Sequence, residues 1–287
     1  MQRSPGLVSI VIPCFDAGAT LGETLESALR AGDCEVVVVD DGSRDELTLD
    51  VLADLPRDVR LIRQDNGGLP SARNAGIDAA RGEFILPLDA DDLIDSRYPD
   101  EARDVLMDRP DVGIVYCRAD LFGAASGPYE LAEFSLDEIL VENCIFCTAL
   151  FRKDDWGTVG GYNERMRRGR EDHDFWLRLL GLGREVVRLD GTYFHYRIRP
   201  GSMNTGYSRD EYVEIYSEIF RDNADLYLEN IEAIMRHRFA LMDQLNDYQH
   251  RYGRLERLVS AHPRAYDALR GARRALRDRR RASDEPT

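Results

Sequence analysis

The run "NGGLPSARNAGIDAARGEFILPLDADD", residues 66 to 92, holds the order of elements that decides the fold. Its first half puts Ala72, Ala75, Gly76 and Ala79 on one helical face, a row small enough for a helix to lie close on a sheet. Its second half, "EFILPL", has the length and apolar character of a buried strand, and Asp89, Asp91 and Asp92 follow it. Open α/β sheets bind ligands outside the carboxyl ends of their strands, so these acids fall where a ligand would sit. Three carboxylates within four positions repel one another, and each ionises more readily with a cation between them. Taken alone, the cluster reads equally as a solvated capping group or as ligands of a hard divalent ion that completes its shell with phosphate and water.

The alternation continues on both sides. Upstream, "LVSIVIP" (7–13) reads as a buried strand, followed by a helix with Leu21, Leu25, Ala28 and Leu29 on one face; "EVVVVD" (35–40) and "VRLI" (59–62) are further strands. Downstream, "PDEARDVLMDR" (99–109) is helical and "VGIVYC" (112–117) is a fifth strand. Apolar strands alternating with helices predict an α/β fold, with a mainly parallel, Rossmann-like sheet flanked by helices on both faces. "EVVVVD" then delivers Asp40 and Asp41 to the same edge as Asp89 and Asp91.

From about residue 123 the pattern loosens. "SLDEILVEN" (135–143) predicts a helix and "IFCTALFRK" (145–153) a strand. "GREDHDFWLRLLGLG" (169–183) predicts a helix, with Phe175 and Leu179, and Trp176 and Leu180, paired at i,i+4. After residue 208 the helical pattern is almost continuous, interrupted at Gly253 and Pro263 and ending in the basic "RAYDALRGARRALRDRRR" (264–281).

Composition narrows the partners. With 43% hydrophobic and 32% charged residues, the 287-residue chain is globular in character. A formal net charge of -15 excludes general binding to nucleic-acid backbones, which needs a basic face. An anionic ligand therefore needs local cations, and since Lys153 is the only lysine, arginines supply them. No segment approaches the ~20 apolar residues that span a bilayer, and "MQRSPGLVSIVIP" lacks a signal-peptide pattern. A cytoplasmic protein is expected. The five cysteines form no disulfide framework, and the Cys144/Cys147 pair has no second pair at zinc spacing, which leaves core packing as their role. Neither "PCFDAGAT" nor "DDGSRDE" gives the glycine fingerprint of a dinucleotide fold, and no Walker lysine is present. A bound nucleotide would be held through acids and a metal.

Four blocks taken together carry a resemblance: "VSIVIPCFDAGATLGETLESAL" (8–29), "VVVVDDGSRDE" (36–46), residues 66 to 92, and "GREDHDFWLRL" (169–179). In order and spacing they resemble a family-2 glycosyltransferase with the GT-A fold, over roughly residues 7 to 205. The resemblance implies metal-dependent, inverting transfer of a sugar from a nucleotide diphosphate-sugar donor to a hydroxyl of a glycan or lipid-linked acceptor, in cell-surface polysaccharide or glycoconjugate synthesis. The cofactor it implies is Mn²⁺ or Mg²⁺. By the same resemblance Pro13, Phe15 and Asp16 line the nucleoside pocket, Asp41 and Asp40 meet the base, Asp89 lies toward ribose or metal, and Asp91 is the direct metal ligand. An aromatic face such as that of Phe15 stacks on a nucleobase. Asp172 is the base, with Glu171 second, at a helix N-terminus whose dipole favours the charged form. Arg73 matches a recurrent arginine of the third block, while Arg165, Arg167, Arg168 and Arg170, which crowd the approach to the base, read equally as contacts to donor or acceptor phosphate or as a solvated charged loop. Where Arg199 stands, family members often carry a metal-contacting histidine; arginine can hold phosphate but not a metal. His195 does not stand at that position.

The resemblance divides the chain into a nucleotide-sugar-binding half (1–122), an acceptor-binding and catalytic half (123–208) and a helical C-terminal extension (209–287). In the last, Ala265, Leu269, Ala272 and Leu276 form an apolar stripe among arginines, which suits peripheral contact with an anionic membrane at its inner face, a partner, or a solvated helix. Two rivals stand beside the transferase: nucleotidyl transfer on a related sheet, which the Glu171/Asp172 pair argues against, and a catalytically silent nucleotide-sugar-binding module.

Overall fold

The computed structural model describes residues 4–199 and 207–261. The first half follows the β-α alternation: β1 (Ser4–Cys14), α1 (Gly18–Leu29), β2 (Cys34–Asp40), α2 (Glu46–Ala53), β3 (Val59–Arg63), α3 (Leu69–Ala79), β4 (Gly82–Pro87), the two-residue β5 (Leu93–Ile94) and α4 (Tyr98–Asp108). The second half is β6 (Val112–Gly123), β7 (Gly127–Tyr129), α5 (Leu136–Ile139), β8 (Leu150–Arg152), α6 (Lys153–Thr158), α7 (Glu171–Leu180) and β9 (Glu185–Ile198). Helices α8 (Arg209–Asp222), α9 (Ala224–Glu229) and α10 (Ile231–Ala261) follow.

All nine strands described join one sheet in the order β3-β2-β1-β4-β8-β6-β9-β5, with β7 on β6. The pairings β3-β2, β2-β1, β1-β4 and β6-β9 are parallel. β8 enters antiparallel between β4 and β6, and β7 and β5 also pair antiparallel, so the sheet is mixed. From Val8 to Cys14 every residue of β1 is buried, without alternation, which requires cover on both faces. Helix α3 packs on β1 and β2, α4 on β6 and β1, and α7 on β6.

The close seat of α3 has a steric cause. A Cβ at Gly76 would come within 2.4 Å of Val11 Cγ1 and 2.9 Å of Val39 Cγ2, so a larger residue would push the helix off β1 and β2. The buried side of α3 is Ala72, Arg73, Gly76 and Ile77, with Ala75 and Ala79 half-buried beside it. A buried arginine thus shares the face the small residues create.

Several elements depart from the pattern-based expectation. The expected strand at 145–153 is reduced to Leu150–Arg152, because Asn143 Oδ1 accepts from Ile145 N–H and Cys147 turns its thiol to Asp89. The expected helix at 135–143 is a single turn, Leu136–Ile139, capped by Ser135. β9 was not legible in the sequence, since charged residues along it hide its apolar side. Gly253 does not interrupt α10, while Pro263 and the basic stripe of Ala265, Leu269, Ala272 and Leu276 lie outside the described residues.

The backbone falls into two units, one ending at Ile231 and one starting at Glu232. In the first, Ser208 caps α8 through a capping box with Glu211. In the second, α10 exposes Met235, Phe239, Leu241, Met242 and Leu245. Among the described residues no helix is long and apolar enough to cross a membrane.

Candidate active site

The end of β1 and the start of α1 place Phe15 and Asp16 at the carboxyl edge of the sheet. Phe15 is 49% exposed, which removes it from the core and leaves a ring face open to a ligand. Asp16 adopts a positive φ of 46° and turns its carboxylate across to the next loop, where Oδ1 accepts from Arg44 N–H (2.7 Å) and Asp45 N–H (2.9 Å). Those two backbone bonds hold its carboxyl below the usual range. Pro13 is buried in β1 opposite Val39.

At the end of β2, Asp40 and Asp41 are both buried. Asp40 Oδ1 accepts from Ser43 N–H (2.9 Å), which folds the turn after the strand. Asp41 accepts from Gln64 Nε2 (2.7 Å), Gly67 N–H (2.8 Å) and Gly68 N–H (2.9 Å). Their oxygens are engaged by the protein, so these acids shape the loops at 42–45 and 64–68. Gly68, with φ at 88°, sits in the left-handed region that lets its N–H reach Asp41.

Beyond β4 the acids separate into distinct roles. Asp89 Oδ1 accepts from Arg73 Nη2 at 2.7 Å, and Cys147 Sγ lies 3.4 Å from Asp89 Oδ2. Asp91 pairs with Arg199 at the end of β9. Burial, and then the charge of Asp89, push the Asp91 carboxyl up. Asp92 does not cap a helix: Oδ1 accepts from Arg197 N–H at 2.8 Å, stitching the acidic loop to β9, while Oδ2 is buried without a partner among the described residues.

The arginine of α3 closes the arrangement. Arg73 is 1% exposed, and the nitrogen not bound to Asp89 bonds Glu171, the first residue of α7. Asn74, its neighbour, accepts from Tyr162 N–H (2.8 Å) and donates to Tyr162 O (2.9 Å), clamping α3 to the segment before α7. Arg73 and Asn74 together join the two halves of the sheet edge. The clamp by Asn74 was missed in the sequence; its place beside Arg73 in "SARNAG" was the available signal.

Glu171 and Asp172 are adjacent but not equivalent. Glu171 is buried on Arg73, and burial pushes its carboxyl up against the opposing pull of Arg73. Asp172 is half-exposed, with Oδ2 accepting from Asn143 Nδ2 (3.0 Å) and Oδ1 from His173 N–H (2.8 Å). Arg170, which precedes them, holds φ at 66° and bonds Tyr212 of α8 through its guanidinium. Of the arginines before Glu171, Arg165 pairs with Asp222 (2.7 Å) and Arg168 with Glu214 (3.2 Å), both on α8, and Arg170 with Glu142 (3.3 Å). Arg167 is exposed against Gly68, on the loop Asp41 organises. His195 faces Asp120 at 2.5 Å, away from these acids.

The donor set decides what cation fits. Among the described residues no group of three or more His, Cys, Asp or Glu forms a metal cage. Mg²⁺ and Mn²⁺ bind through one or two carboxylates and take the remaining oxygens from phosphate and water. Asp89 and Asp91 fit that mode by the chemistry of their oxygens.

The chain is similar to known proteins. The profile of Glycosyl transferase family 2 matches residues 9–162, more than half of the chain, and that of the N-terminal domain of galactosyltransferase matches 139–199. A glycosyltransferase from Haemophilus influenzae is 28% identical over 185 residues, covering 61% of this chain and 62% of the relative. A chondroitin synthase from Pasteurella multocida is 32% identical over 199 residues, covering 64% of this chain but 20% of the synthase. The glycosyltransferase GlyG from Streptococcus pneumoniae is 25% identical over 274 residues, covering 85% of this chain and 88% of its own length. Among solved structures, S. aureus TarS 1-349 in complex with UDP-GlcNAc superposes with a TM-score of 0.65 at 20% identity, covering 84% of this chain and 73% of that one.

Proposed function

The chain belongs to glycosyl transferase family 2 and is a glycosyltransferase of GT-A fold; from that premise we propose that it is a metal-dependent, inverting enzyme using a nucleotide diphosphate-sugar. The observation that carries the reading is the buried Arg73, which joins Asp89 at the acidic rim to the helix that begins Glu171-Asp172. Residues 1–122 hold the donor and 123–208 receive the acceptor. That the solved relative TarS carries UDP-GlcNAc supports a nucleotide-sugar donor here.

In the proposed reaction Phe15 stacks on the base, between the turns that Asp16, Asp40 and Asp41 fix. Asp91, with Asp89 beside it, would hold a divalent cation, which when bound neutralises charge developing on the leaving diphosphate. Arg199 and Arg167 supply cations toward the same diphosphate, and Arg73 acts as a positioning residue from within. Asp172 takes the proton of the acceptor hydroxyl as its oxygen forms a bond to the anomeric carbon. The bond from that carbon to the diphosphate oxygen breaks, and the nucleoside diphosphate leaves. Asn143 fixes the orientation of Asp172, and Glu171 holds Arg73. The acceptor is a glycan or lipid-linked hydroxyl in cell-surface polysaccharide or glycoconjugate synthesis, and the enzyme works in the cytoplasm or peripherally at the inner membrane face.

A thermal-shift screen of the full chain with UDP, GDP and dTDP, each with and without Mn²⁺, tests the donor reading. Stabilisation by at least one nucleotide that grows with Mn²⁺ is expected. No response to any of them overturns it.

A further inference from the structure

Two tyrosines beside the base are not used by the chemistry described above. Tyr129 on β7 and Tyr196 on β9 stack with ring centroids 5.2 Å apart and an interplanar angle of 21°. The sheet register puts them on one face: Ala119 of β6 pairs with both Tyr129 and Phe194, and Leu121, two residues on, pairs with Tyr196. Ala119 carries only a methyl group, so the two rings meet across β6.

That face leads to the base. Phe194 lies 6.2 Å from Tyr196 and 4.5 Å from Phe146, centroid to centroid. Phe146 belongs to the short segment whose Asn143 holds Asp172 and whose Cys147 meets Asp89. An aromatic row therefore runs from the segment at the base and the acidic rim out to the tyrosine pair. Both tyrosines are half-buried. Burial, and then the charge of Asp172, push the Tyr129 phenol up.

We propose that Tyr129 and Tyr196 form the wall of an acceptor subsite that takes a pyranose ring, so that the acceptor hydroxyl is carried by a sugar. The inference rests on the glycosyltransferase reading of Asp172 and adds the chemical class of the acceptor to it. A pyranose has a C–H face and a rim of hydroxyls, and a pair of phenols offers the complement, an apolar ring surface with hydroxyls at its edge. A flat ring held against such a wall presents one rim hydroxyl to a carboxylate beside the wall. A lipid alcohol or a flexible polyol has no such face and gains little from it.

Saturation-transfer NMR on the full chain tests the subsite, with methyl glycosides of glucose, galactose and N-acetylglucosamine as probes. Mn²⁺ is present together with whichever of UDP, GDP or dTDP stabilises the fold. At least one glycoside takes up saturation on its ring C–H protons, and the signal falls about fivefold in Tyr129→Ala and in Tyr196→Ala. It is retained in Tyr129→Phe, and calorimetric affinity for the nucleotide is unchanged in all three variants, which shows that they fold. Bound nucleotide with no signal from any glycoside, or equal signal in wild type and both alanine variants, overturns the subsite alone. Absence of nucleotide binding to the wild type overturns the donor reading, and the subsite with it.

Discussion

Arg73 Nη2 lies 2.7 Å from Asp89 Oδ1, and because Nη1 of the same guanidinium bonds Glu171, the acidic rim and helix α7 share one buried cation. Burial alone would lower the Arg73 pKa, yet the two carboxylates hold it well above the ordinary value. Arg73→Ala leaves two carboxylates facing each other without their cation, and removing one partner of a buried ion pair costs ~3–5 kcal/mol. Urea denaturation should show a loss of that order, with partial recovery in Arg73→Lys. A loss below ~1 kcal/mol would mean the bridge is not structural.

Gly76 tests the packing of α3. Its absent Cβ would meet Val11 and Val39 at less than 3 Å, so Gly76→Ala must shift the helix or the strands. Overpacking of this kind costs ~1–3 kcal/mol. Because Arg73 lies one turn away on the same helix, nucleotide affinity should weaken in this variant along with stability, measured by calorimetry.

His173 gives the fold a pH dependence. Its Nε2–H donates to Ile139 O at 2.6 Å, Nδ1 is buried without a partner among the described residues, and burial holds the imidazole below its ordinary 6.5 despite nearby Asp172 and Glu142. Below 6.5 the unfolded chain takes up a proton that the folded chain refuses. Stability from this group is thus fully present above 6.5 and falls as pH drops toward the lower folded value. Urea titration should therefore give lower stability at about pH 5.5 than at about pH 7.5. His173→Gln, which can still donate to Ile139, should flatten that slope.

The proposed metal site at Asp91 is testable apart from nucleotide binding. Asp91→Asn removes a negative charge from the acidic rim, while Phe15 and the loops held by Asp16 and Asp41 are untouched. The Mn²⁺-dependent part of nucleotide stabilisation should disappear and the Mn²⁺-independent part remain; EDTA should reproduce the variant in the wild type. Unaltered Mn²⁺ dependence would remove Asp91 from the metal site.

The sheet edge was legible because buried parallel strands are apolar throughout and end abruptly in acids, as "EVVVVD" and "EFILPL" do. The long β9 was hidden, since Arg188, Asp190, His195 and Arg197 interrupt its apolar residues, each pairing with another element: β6 for Asp190 and His195, α1 for Arg197, and the loop at Glu133 for Arg188. Segment 143–149 was misread for a related reason. Its apolar residues suit a strand, but Asn143 and Cys147 bend it toward Asp172 and Asp89. Sequence named Arg73, Glu171 and Asp172, yet only the fold shows that Arg73 is an internal brace and that Glu171 and Asp172 differ in exposure. Spacing along a chain carries no information on which of two neighbouring acids faces inward.

Asp172 carries the central claim. The decisive measurement is nucleoside diphosphate release from UDP-, GDP- and dTDP-sugars by wild type and Asp172→Asn, with donor affinity measured in parallel. The account predicts unchanged donor affinity and turnover lower by about 10²–10⁴-fold, the contribution of a positioned base. Turnover by Asp172→Asn at the wild-type rate, with donor bound equally well, would contradict it.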